Sequence, residues 1–256
     1  MFDFSLAAFE AILPFILIGF AAQLVDGALG MAFGLINSTL LMSVMGVSPK
    51  LASASVHAVE TFTTAASGVS HILNKNVNWR MFARLVIPGM IGGALGAYLL
   101  SNIDAGIARP FVMAYLSAIG LYLLYRAWRG RMEPKTPKVI EPLGLIGGFL
   151  DAAGGGGWGP VVTSNLLVQG ASPRETIGTV NTAEFFLTAT ISATFIWQLG
   201  WAAFTLQTLG ILIGGLLAAP LGGVLAKRVP SRPLMAMVGV LLTLTSIFSI
   251  WQALSK

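Results

Sequence analysis

Residues 151–160 read DAAGGGGWGP, and residues 26–34 read DGALGMAFG. In both, an aspartate is followed eight residues later by a glycine, within a chain that is otherwise oily. After a one-residue shift the correspondence continues: GVSPKLASASVHAVETF (residues 46–62) matches GASPRETIGTVNTAEFF (residues 170–186). Further on, Trp79, Gly92-Gly93 and Arg109-Pro110 have counterparts in Trp201, Gly214-Gly215 and Arg232-Pro233. So many matches in the same order mark a duplication, and the chain reads as two homologous halves.

The composition says where these halves reside. Of 256 residues, 55% are hydrophobic and 10% charged, and the mean hydropathy is +0.81. A soluble surface cannot be built from this, so the chain reads as an integral membrane protein. Its apolar runs are long and follow one another with short gaps, which implies repeated helical crossings of a bilayer about 30 Å thick. The period-two alternation of a membrane β-barrel is absent. MFDFSLAAFE at the start carries no basic residue, unlike a signal peptide, so the N-terminus is taken as mature. The absence of cysteine removes disulfides and thiol chemistry. No Walker loop, HExxH or GxSxG motif occurs, so no enzyme activity, metal site or cofactor is expected. The formal charge of +5 does not point to nucleic acid, because the basic residues sit in loops between apolar runs.

Each half divides into about five apolar segments, at roughly 11–25, 31–46, 51–73, 83–101 and 109–128, then 141–151, 159–170, 175–198, 203–226 and 233–253. This sets a first membrane repeat over 1–128, a charged linker over 129–140 and a second repeat over 141–256. The first two segments of each half are read as short, forming broken or re-entrant hairpins with the glycine-rich stretch at the tip. If each short pair returns to its side of entry, twelve of the fifteen Lys and Arg residues face one side, against Lys50, Arg109 and Lys256 on the other. If each pair crosses once, the division is nine against six. The positive-inside bias favours the first arrangement. It places the linker in the cytoplasm and both termini outside, and it inverts one half relative to the other. The fold class expected is an all-α polytopic protein of two inverted repeats, the architecture of alternating-access transporters.

Four acids, Asp26, Glu60, Asp151 and Glu184, fall within or at the tips of apolar segments as two repeat-matched pairs. A carboxylate at membrane depth costs at least about 2.5–3.5 kcal/mol on insertion scales, so such groups face polar cavities and mark pathways. Glu60 shares a helical face with Ser53, His57, Thr64, Ser67 and His71, and Glu184 with Asn181, Thr188 and Ser192. Interhelical hydrogen bonding is the favoured role for the Ser and Thr residues. For Glu60 and Glu184 proton coupling is favoured, with His57 either a partner or a satisfied core histidine. Gly27, Gly30, Gly34, Gly154, Gly155, Gly156 and Gly157, with Trp158 and Asn181, are candidate substrate contacts. Exposed N–H groups at a helix N-terminus attract anions. Close packing of two hairpin tips explains the glycines equally well, and Trp158 either walls the site or anchors the hairpin. An ionised aspartate would repel an anion, so Asp26 and Asp151 are read as shaping their own loops by accepting N–H bonds.

These motifs resemble those of the sulfite exporter TauE/SafE family of membrane permeases. The glycine-rich tips and the SPxxxxxxV[HN] segments, here SPKLASASVH and SPRETIGTVN, carry the resemblance across nearly the whole chain. The first half departs from it, with ALGMAF in place of a glycine run. The resemblance implies a permease for sulfite, sulfonates or related sulfur-containing or organic anions. The function expected is therefore secondary transport of a small anion, proton-coupled, in the cell inner membrane. The alternative is a cation or metal-ion carrier using the four acids. The partners expected are the anion and the lipid bilayer, with homo-oligomerisation left open.

Overall fold

The structure, a computed structural model, describes residues 6–31, 33–102, 109–129, 135–200 and 205–254. Trp201, Arg131 and Lys256 lie outside the described residues, as does the middle of the linker, 130–134. The described chain is helical and contains no strand. In order it runs α1 (Leu6–Leu29), α2 (Phe33–Thr39) continuing into a π-helical turn (Leu40–Val44), α3 (Pro49–Leu73), α4 (Trp79–Asn102) and α5 (Arg109–Arg129). Then follow α6 (Glu141–Gly154), a π-helical turn (Gly159–Thr163) leading into α7 (Ser164–Val168), α8 (Pro173–Leu199), α9 (Leu206–Arg228) and α10 (Ser231–Leu254). This is an all-α polytopic membrane architecture.

Local chemistry explains the boundaries. The two Ser-Pro pairs start the two longest helices: Ser48 and Ser172 are extended N-caps and proline occupies the first helical turn, where its missing N–H is no loss. Left-handed Lys75 follows the end of α3, and Gly200 at φ 66° ends α8. One boundary differs from expectation. α1 runs 24 residues, about 36 Å at 1.5 Å per residue, so the opening segment of the first half is not short. Pro14 lies inside it, and the polar start of the chain hides its first turns. The short segments are α2 with its π turn, α6, and α7 with its π turn.

Helices α1, α4 and α9 are long and apolar enough to cross a membrane by length and composition alone. Helices α3 and α8 are longer still but carry buried polar residues along much of their length, which dilutes their hydropathy. Around them the helices present apolar side chains outward. On α4, Ile87, Ile91, Leu95 and Tyr98 form an exposed stripe, and Trp79, Trp128, Trp197 and Trp251 stand exposed near helix ends. Such aromatic ends suit the interfacial layers of a bilayer.

The helix pairing has a regular form. Helix α1 packs on α9, α4 on α6, α3 on α8 and α5 on α10. Exchanging the halves, first segment for first and fourth for fourth, reproduces the same set. Direction follows from the contacts. Thr61 meets Ser192 and Thr64 meets Thr188, so α3 and α8 are antiparallel. Gly120 approaches Thr243 and Gly239 approaches Leu124, so α5 and α10 are antiparallel too. Glycines make these approaches close: a Cβ on Gly27 would stand 2.7 Å from Gly222 Cα. Small residues at such crossings let membrane helices pack backbone to backbone.

Candidate functional site

The tips of the two hairpins pass each other between α3 and α8. A Cβ on Gly34 would lie 2.6 Å from Gly156 Cα, and one on Gly156 would lie 2.9 Å from Gly34 Cα. Thr163 Oγ1 donates to Gly30 O at 2.9 Å, which ties the second tip to the first. Two of the four consecutive glycines have positive φ, Gly155 at 70° and Gly156 at 145°, conformations that a side chain would strain.

The four N–H groups from Gly155 to Trp158 all end on Asp151. Gly155 N and Gly156 N donate to its backbone carbonyl at 2.8 and 3.3 Å. Gly157 N and Trp158 N donate to its Oδ1 at 2.7 and 2.8 Å. The helix-start donors that the sequence offers to an anion are thus engaged by the chain's own carboxylate. In the first half Asp26 Oδ1 accepts from Phe33 N at 3.5 Å, the same seven-residue reach as Asp151 to Trp158.

The other oxygen of each aspartate crosses to the opposite half. Asp26 Oδ2 accepts from Asn181 Nδ2 at 3.0 Å, and Asp151 Oδ2 stands 3.0 Å from His57 Nε2. His57 and Asn181 occupy matching positions of the two SPxxxxxxV[HN] segments, each eight residues past its helix-opening proline. Each is therefore about 12 Å along its helix. His57 Nδ1 lies 2.7 Å from Ser53 O, and Ser53 Oγ donates to Ala152 O at 2.7 Å.

Glu60 and Glu184 complete the cluster. All four acids are no more than 5% exposed. Glu60 Oε2 is 3.9 Å from His57 Nε2, and neither it nor Glu184 Oε2 has a hydrogen-bond partner among the described residues. His57, Glu60 and Asp151 each bring one ligand atom within 4.8 Å of the others, a spacing that could hold a cation. The polar stripes of α3 and α8 face each other, with Thr61 Oγ1 and Ser192 Oγ at 3.1 Å.

The remaining sequence candidates fall elsewhere. Trp158 is fully buried in the apolar cluster with Leu85 and Leu187, and its Nε1 donates to Val180 O at 3.1 Å. Gly154 has open space where a Cβ would go, and Gly27 lies against α9 with its carbonyl accepting from His71 Nε2 at 3.0 Å. Sequence reading passed over Gln23 and Asn37. Both are fully buried, and both Gln23 side-chain polar atoms and Asn37 Oδ1 lack a partner among the described residues. Each lies three residues from a tip position, Asp26 or Gly34, which puts it on the same helical face. That spacing was the available signal.

Known proteins align with this chain along most of its length. The family model for the sulfite exporter TauE/SafE matches residues 15–249. A probable membrane transporter protein of Bacillus subtilis, YtnM, is 41% identical over 95% of this chain and 85% of its own length. A probable membrane transporter protein of Haemophilus influenzae is 25% identical over 90% of this chain and 92% of its own. No solved structure matches the chain. With its membrane helices, buried acids and crossed glycine tips, this chain belongs to the sulfite exporter TauE/SafE family and is a membrane transporter.

Proposed function

We propose that the protein is a proton-coupled permease for a small anion of the sulfite or sulfonate class, bound beside the crossed tips and moved by alternating access. The observation that carries this reading is the buried cluster of Asp26, Glu60, Asp151, Glu184 and His57 between two oppositely directed helices. An anion about 5 Å from an ionised carboxylate is repelled by about 3 kcal/mol at an effective dielectric near 20. Anion occupancy therefore requires protons on the acids, and anion and proton load together. Antiparallel pairing of α3 with α8 and of α5 with α10 supports two inverted repeats, 1–128 and 141–256, with the cytoplasmic linker 129–140 between them. That arrangement provides two interchangeable tilts around one site.

In this reading Asp26 and Asp151 shape the tips. Glu60, Glu184 and His57 carry the proton. Asn181 and the tip glycines Gly30, Gly34 and Gly155–Gly157 frame the substrate, with Trp158 anchoring the second tip, while Gly27 packs on α9 and Gly154 lies off the tip. Gln23 Nε2 and Ser67 Oγ are additional buried donors without partners among the described residues, suited to an oxyanion.

A second reading, a cation carrier, rests on the ligand-atom spacing of His57, Glu60 and Asp151. A binding screen of the purified protein against sulfite, sulfate, thiosulfate, sulfonates, carboxylates and divalent cations separates the two. Stabilisation by a sulfur oxyanion, stronger at low pH, supports the first. Stabilisation by a divalent cation alone, stronger at high pH, replaces it with the second.

A further inference from the structure

A cavity of about 270 Å³ lies at the end of the bundle that holds the excess of Lys and Arg. Its wall joins the α3–α4 turn, the linker and the start of α8, so both halves and their connection meet there. The linker is tied down around it: Lys135 N donates to Gly170 O at 2.7 Å, and Lys138 N and Val139 N donate to Gln169 Oε1 at 2.9 Å.

The charges on this wall are unevenly matched. Arg84 is engaged in a two-pronged pair with Glu141, at 2.5 and 2.8 Å. Arg80 and Lys135 line the cavity with no ion pair among the described residues, against the single lining acid Glu175. Glu175 is itself 3.5 Å from Asn78 Nδ2. The 27-residue helix α8 begins on the same wall, and its N-cap Ser172 makes no side-chain capping bond. Its positive dipole end is thus offered to the cavity. Thr176, one turn in, also lines the cavity, and its fully buried hydroxyl has no partner among the described residues.

We propose that this cavity is a second anion site, separate from the membrane-buried cluster, which takes a phosphate- or sulfate-type oxyanion between Arg80, Lys135 and the start of α8. The oxyanion comes either from solution or from the headgroup of an anionic phospholipid, since the donors recognise the same group in both. Occupancy bridges the linker to both halves. The site is defined without reference to what the buried cluster transports, so its failure would leave the permease reading untouched.

The test uses the absence of cysteine. Thr136→Cys places a single thiol on the cavity wall. The rate at which an anionic sulfonate reagent modifies it is measured on the full chain in phosphatidylcholine nanodiscs, with inorganic phosphate or with chloride at equal ionic strength. A parallel arm uses phosphatidylglycerol nanodiscs without phosphate. A severalfold slowing by phosphate identifies a soluble oxyanion, and slowing by phosphatidylglycerol alone identifies a headgroup. In either arm the protection should vanish in an Arg80→Gln/Lys135→Gln background and survive Lys135→Arg. Absence of protection in both arms, or protection that persists in the doubly substituted background, overturns the proposal.

Discussion

His57 Nε2 faces Asp151 Oδ2 where the two halves cross. His57 Nδ1 lies 2.7 Å from Ser53 O, a carbonyl that can only accept, so Nδ1 carries a hydrogen. Its Nε2 is 3.0 Å from Asp151 Oδ2. That contact requires one more proton, on the imidazole or on the carboxyl. The repeat-related contact from Asn181 Nδ2 to Asp26 Oδ2 needs none, because an amide always donates. The two tips are held alike, one by an amide and the other by an imidazole.

His57→Asn makes the second tip like the first. The hydrogen bond to Asp151 survives and the imidazole is lost. Anion binding and thermal stability should stay near wild type, while the pH dependence of anion flux in proteoliposomes flattens. An unaltered pH profile would remove His57 from the coupling path.

Asp151 and Asp26 should differ in their structural weight. Asp151 Oδ1 accepts two close N–H bonds, whereas Asp26 Oδ1 accepts one at 3.5 Å. Asp151→Ala leaves both N–H groups unpaired, that of Trp158 buried and that of Gly157 partly buried, and should cost about 2–5 kcal/mol, against about 1–2 kcal/mol for Asp26→Ala. Unfolding midpoints of the two variants in detergent check the order.

The four glycines are not equivalent. Gly154 closes α6 with open space beside it, so Gly154→Ala should be neutral or stabilise by up to about 1 kcal/mol. Gly156→Ala meets both a φ of 145° and the backbone of Gly34, and should cost about 2 kcal/mol or more. Expression level and melting temperature of the alanine series report this directly.

The inverted topology predicts opposite exposure of the two ends of α3. A cysteine at Lys50 should react with an impermeant reagent added outside intact cells, and one at Lys75 only after the membrane is opened. Reaction of both from outside would contradict the charge-based orientation.

Much of the architecture was legible because it rests on local signals. Apolar length placed the ten segments, and the repeat pairing of Asp26 with Asp151 exposed the four acids. The length of α1 was obscured because Glu10 and Pro14 interrupt the apolar run at its start. The glycine N–H groups had two readings in the sequence, a bound anion and a bond to their own aspartate. Nothing local says whether a helix-start donor meets a ligand or a side chain six and seven residues upstream. The His57–Asp151 contact spans 94 residues, and only the crossing of the halves brings it about.

The central claim, that anion and proton move together through the buried acids, is tested most directly in proteoliposomes by following sulfite flux and internal pH simultaneously. The account predicts that a sulfite gradient drives proton movement in wild type, and that Glu60→Gln/Glu184→Gln abolishes proton movement. Sulfite flux with no proton movement, or proton-linked flux unchanged in the doubly substituted protein, would contradict it.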